Sequence, residues 1–122
     1  MTELVACLST GKGTWGHVSR LLEGMDGQPW EKIFLLTNDY GKQNFKTEGK
    51  PIELIEIHDT LGLEELRDEI REKLKDKIKG MEVAVNFVSG SGWEHLALMS
   101  ALIQLGVACR FVGVTKDGVK EL

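Results

Sequence analysis

Two stretches of this chain share one plan, and that plan limits the folds open to it. Leu4 to His17 (LVACLSTGKGTWGH) reads as an apolar strand, a glycine-rich turn and the opening of a helix, and Val83 to His95 (VAVNFVSGSGWEH) repeats it. A strand feeding a helix through a tight turn is the βα half of a parallel α/β unit. In an open parallel sheet, ligands collect where neighbouring strands send their helices to opposite faces, because loops and helix N-termini line that crevice. If these two strands are neighbours, both glycine loops open into one crevice.

The rest of the chain fits such a sheet. After the first loop, Val18, Leu21, Leu22 and Met25 recur at helical spacing, and Gly24, Gly27 and Pro29 are placed to end the helix. Lys32 to Asn38 is an apolar run of strand length, and Tyr40 to Phe45 suits a short helix. Ile52 to Ile57 reads as an alternating strand with one wet face, as at a sheet edge. Leu63, Leu66, Ile70, Leu74 and Ile78 form the stripe of a long helix, acidic at its start and basic at its end, with Gly80 placed to stop it.

Ser91 with Glu94 three residues on is a capping box, which starts the next helix at Trp93. That helix, Trp93 to Leu105, is apolar round most of its circumference and needs cover on a second side, from the first helix or a second subunit. Ala108 to Val114 gives a fifth strand, and Asp117-Gly118 turns Val119 to Leu122 back antiparallel. The expectation is a single α/β domain over residues 1–122, a Rossmann-like three-layer αβα sandwich. Its mainly parallel sheet has order 3-2-1-4-5, with a C-terminal antiparallel hairpin strand.

Composition removes several function classes. With 42% apolar and 28% charged residues the chain has an ordinary globular balance, and no apolar run approaches the ~20 residues that span a bilayer. The expected setting is cytoplasmic, since the first residues lack the plan of a signal peptide. A net charge of −4 argues against a broad basic face for long nucleic acid, but not against a small anion held by backbone amides. Cys7 and Cys109 lack C-x-x-C spacing and read as buried free thiols, so no metal and no cofactor are expected.

The crevice residues carry the chemistry. Gly11-Lys12-Gly13-Thr14-Trp15-Gly16 satisfies G-x-G-x-x-G between strand and helix, a pattern that fits a dinucleotide as well as a plain tight turn. Asp39 closes the second strand, somewhat beyond the spacing of a ribose-binding acid. A P-loop is excluded, because Ala6 stands where its first glycine is required. Trp15-Gly16-His17 and Trp93-Glu94-His95 repeat W-x-H at the two helix starts. An indole there can stack on a base, and an imidazole can meet a phosphate or move a proton; packing and capping are the commoner uses. His58 and Asp59 end the third strand further out along the same edge, and Trp30 reads as structural.

The arrangement resembles the CARF domain, the Rossmann-like sensor of CRISPR systems. The resemblance rests on the Leu8-Ser9-Thr10 strand end, the Val88-Ser89-Gly90-Ser91 loop before an apolar helix, and the terminal hairpin. It implies a homodimer that binds a cyclic oligoadenylate or related nucleotide across its two-fold axis. In ring-nuclease members it also implies slow, metal-independent cleavage by a ribose 2′-hydroxyl. Carried onto this chain, Ser9, Thr10, Gly11, Gly13, Thr14 and Trp15 of the first loop would bind ligand, with Ser89, Gly90, Ser91, Gly92 and Trp93 of the second. Many relatives have Lys or Arg after the second glycine turn, where this chain has Gly92 and Trp93. If that charge serves phosphate binding or cleavage, then Lys12, the loop amides and His17 or His95 must replace it, or the domain does neither. Two other readings remain open: a dinucleotide module of the NAD or FAD type using Gly11, Gly13, Gly16 and Asp39 with a partner chain, and an oligomerisation domain without a small ligand.

Overall fold

The computed structural model describes residues 2–8 and 15–122. Apolar runs with strand propensity form a six-stranded sheet, and helices with one apolar stripe cover it. In chain order the elements are β1 (Glu3–Cys7), α1 (Trp15–Leu21), β2 (Lys32–Thr37), α2 (Asp39–Asn44), β3 (Ile52–Glu56) and α3 (Leu63–Leu74). They continue with β4 (Glu82–Asn86), α4 (Gly92–Gln104), β5 (Ala108–Thr115) and β6 (Gly118–Glu121). The sheet order is β3-β2-β1-β4-β5-β6, parallel except for the β5–β6 hairpin. The expected α/β sandwich and strand order are therefore present.

Each face of the sheet has its own apolar core. Leu4, Ala6, Ile33, Leu35, Ala84 and Val112 meet Val18 and Leu21 of α1, with Phe45 at the end of α2 beside them. Val5, Cys7, Phe34, Leu36, Val83 and Val85 point the other way, onto α3 and α4. Strand alternation and right-handed crossovers produce this division. β1 and β4 pair side by side, Ala6 opposite Asn86, and their helices leave to opposite faces. The switch point thus lies where the two repeated stretches required it.

Five local expectations are corrected. The second side of α4 is covered by α3; α1 lies on the opposite face and cannot supply that cover. α1 ends at Leu21, short of Met25, because the Trp30 indole N–H donates to the Leu21 carbonyl at 2.8 Å and Met25 and Gln28 close a tight bridge. α3 stops at Leu74, well before Gly80. The buried Glu3 carboxylate takes the Lys79 amide at 3.0 Å and the Gly80 amide at 2.7 Å, and draws that segment off the helix axis. β3 is the edge strand, but it has no wet face: Ile55 and Ile57 are buried while Ile52 and Leu54 are half-buried on the other side. Cys109, unlike the buried Cys7, is half-buried.

Candidate functional site

The candidate site is the C-terminal edge of β1 and β4 with the loops that leave it. Six of the first-loop residues singled out in the sequence, Ser9, Thr10, Gly11, Lys12, Gly13 and Thr14, lie outside the described residues. The flanks of that loop are described. Leu8 donates to the Leu36 carbonyl at 2.8 Å and seals β1 against β2, and α1 begins at Trp15.

The second loop is built from the inside out. Asn86, buried at the end of β4, donates through Nδ2 to the Val112 carbonyl at 2.9 Å and accepts from the Val88 amide at 3.1 Å. It ties the loop's first residue to β5. An asparagine within VAVNFV was the signal for this role, and it was missed. Ser89 is fully buried, and its carbonyl lies 2.8 Å from His95 Nε2. A carbonyl only accepts, so Nε2 carries a proton and is committed to the loop. The imidazole also stacks on Phe87, 4.8 Å between centroids. His95 therefore holds the loop from beneath.

Gly90 is required for a geometric reason: its φ is +97°, and a Cβ there would meet Cys7 Cβ at 2.9 Å. The loop consequently crosses directly over the end of β1. Ser91 caps α4, its hydroxyl accepting from the Glu94 amide at 3.2 Å while Glu94 Oε1 accepts from the Ser91 amide at 2.7 Å. The expected capping box is present, and α4 begins one residue earlier, at the exposed Gly92. Burial pushes the Cys7 thiol far above its ordinary range, and the Glu94 carboxylate pushes it the same way. Cys7 is thus a packed, protonated thiol with no nucleophilic role.

The two W-x-H pairs part company. Trp15 meets Phe45 edge-on at 5.4 Å and lies 6.2 Å from Tyr40, so it leans toward α2. His17, about 200° further round the helix, lies on the other flank. Its Nε2 is buried with no hydrogen-bond partner among the described residues. A buried polar atom left in this way costs about 1–3 kcal/mol. Trp93 leans toward α3, its indole N–H donating to the Leu61 carbonyl at 3.3 Å, and the residue stays 48% exposed. Trp30 is buried and structural.

Asp39 is exposed at the start of α2 and holds Gln43 through both oxygens at 3.0 Å. His58, at the end of β3, is bound to Glu69, a partner that the sequence reading did not identify. Among the described residues, no group of three or more His, Cys, Asp or Glu is placed to hold a metal ion, and no helix is long and apolar enough to cross a membrane. Among the described residues the edge presents the second loop and the exposed Trp93 indole, with the buried His17 Nε2 lacking a partner behind it, groups that can meet a polar ligand with a flat aromatic part. No protein-family model matches the chain, and no curated protein matches it.

Proposed function

We propose that this domain senses a cyclic oligoadenylate or a related nucleotide at the C-terminal edge of β1 and β4, in a crevice completed by a second copy of the chain. The observation that carries the reading is the switch point, where β1 and β4 pair and both of their βα loops leave the same edge for helices on opposite faces. His17 Nε2 supports it, as a buried polar atom without a partner among the described residues, a place a ligand would fill. The half-exposed Trp93 ring offers a stacking surface. His95 is assigned to the loop, so Lys12 and His17 are left to meet phosphate.

The second copy is proposed on the outer face of α4. Leu96 and Ile103 are exposed and Met99 is half-buried, at spacings that form one stripe, with the exposed Phe111 beside it. The reading has two versions, sensing alone and sensing with slow cleavage. In cleavage a ribose 2′-hydroxyl loses its proton and attacks the adjacent phosphorus, and the 5′-oxygen leaves and takes up a proton. The chain would hold the hydroxyl in line and stabilise the developing charge through loop amides and Lys12.

The test is tryptophan fluorescence and thermal melting with cyclic tetra- and hexa-adenylate, followed by chromatography of the mixtures. Quenching with a raised Tm supports the reading, and no response to either ring removes it. Shortened products from wild type and fewer from Lys12→Ala, at nearly unchanged Tm, assign cleavage; intact ligand after long incubation assigns sensing alone. The exposed Asp39, two residues past β2 at the start of α2, favours a second reading, a dinucleotide module, which predicts protection by NAD and none by the cyclic ligands.

A further inference from the structure

His58, left outside the crevice by the sequence reading, is held between two carboxylates. Its Nδ1 is 2.6 Å from Glu69 Oε2 and its Nε2 is 3.6 Å from Glu56 Oε2. Its backbone N–H also donates to Glu69 Oε1 at 2.7 Å, so both Glu69 oxygens grip one residue. Lys73 of α3 stands 3.6 Å from Glu69 and donates to the Glu56 carbonyl. The charged groups around the ring are therefore Glu56 from its own strand and Glu69 and Lys73 from α3. Asp59 is its neighbour in the turn, and Glu65 lies over Gly62 further along it.

The balance of this cluster turns on one proton. With the ring protonated, a cation sits between two carboxylates and both ring nitrogens carry N–H donors. With the ring neutral, Nδ1–H still donates to Glu69, but the Nε2 lone pair faces the Glu56 carboxylate and that side becomes repulsive. An imidazole makes this change within about pH 5–8. The turn opened by His58 leads to α4: the Leu61 amide donates to the His58 carbonyl at 3.1 Å, and the Leu61 carbonyl accepts from the Trp93 indole at 3.3 Å.

We infer that the His58–Glu69 pair is a proton-sensitive brace that, through the turn ending at Leu61, positions Trp93 at the start of α4. His58 and Glu69 are positioning residues and touch no reacting atom. Protonation holds the turn closed, with the Trp93 ring drawn toward α3; loss of the proton loosens the turn and frees the ring. The consequence for a ligand rests on the nucleotide reading above, whereas the brace itself does not.

The test is 19F NMR of the whole chain labelled with 5-fluorotryptophan, whose three resonances are assigned by Trp→Phe variants. The Trp93 resonance should move through a single transition between about pH 5 and 8, with Trp15 and Trp30 nearly still. His58→Gln should abolish that transition. Glu69→Gln should alter that transition, because the carboxylate bonded to His58 Nδ1 is gone. A flat Trp93 resonance overturns the brace, and so does a transition that survives His58→Gln. The latter would assign the proton to His95, two residues on and about 200° round α4. Should His58→Gln fail to fold by circular dichroism, Glu69→Gln decides alone, and an unchanged Trp93 transition overturns the proposal. Cyclic tetra-adenylate added to the same sample separates the two readings: a silent ligand titration beside an intact pH transition removes the nucleotide and leaves the brace.

Discussion

Glu69 shows how one carboxylate is held against opposing effects. Burial pushes its carboxyl up, yet hydrogen bonds from the His58 ring and amide, with the charges of Lys73 and His58, outweigh burial and hold it below the usual carboxylate range. The folded state therefore binds this proton less readily than the unfolded chain. The stability it contributes is complete above the unfolded value, near 4.5, and is lost as pH falls through the lower folded value. Chemical denaturation of wild type and Glu69→Gln at a series of pH values checks this. The variant should be less stable by about 1 kcal/mol at pH 6, with the gap closing below about pH 4.5. An equal gap at both ends of the series would mean that the carboxylate's charge does not contribute. Ser89, Ser91 and His95 make a related point at the other loop. Their types suggested ligand donors, yet the described contacts of each serve the loop and its helix cap.

Among the elements, α4 separates two kinds of apolar residue that its sequence does not distinguish. Leu98 is fully buried between α3 and the sheet, whereas Leu96, two positions earlier, is 54% exposed. Leu98→Ala should cost about 2–5 kcal/mol, the lost transfer free energy plus the cavity, and Leu96→Ala should stay within about 0.5 kcal/mol in the monomer. Urea unfolding of the two variants distinguishes them; similar losses would mean that Leu96 is covered. The sequence marked α4, its capping box and the strand order because these depend on neighbours three or four residues apart, or on strand runs and glycine turns. It did not mark where α1 and α3 end. Those ends are set by Trp30 reaching Leu21 and by Glu3 reaching Lys79, contacts that no local period encodes. The same reason hid the Leu61–Trp93 and Asn86–Val112 ties at the candidate site, while the glycines and the paired W-x-H were in plain view.

At the scale of the whole molecule, the two sheet faces are not equally covered. The face carrying α3 and α4 leaves Phe111 of β5 exposed, and Leu122, just past β6, lies over Gly113 and is itself largely exposed. Phe87 joins this strip to α4, lying 5.7 Å from Phe111 and 4.8 Å from the His95 ring. Leu96, Met99 and Ile103 continue the surface along the helix, so the apolar area runs from the sheet edge to the outer face of α4. A monomer seldom leaves so continuous an apolar strip in water, and a two-fold contact would cover it with itself. Folding would then be linked to association, and stability would depend on protein concentration. Each tenfold rise in concentration should add about 1.4 kcal/mol per dimer and raise Tm by about 2–4 °C. Ile103→Glu places a charge on the strip without touching the buried side of α4. It should remove the concentration dependence and halve the mass seen by sedimentation, with the circular dichroism of the folded chain retained. A Tm that is flat over two decades of concentration in the wild type would make the strip an ordinary monomer surface, and the nucleotide crevice would then have to be complete within one chain.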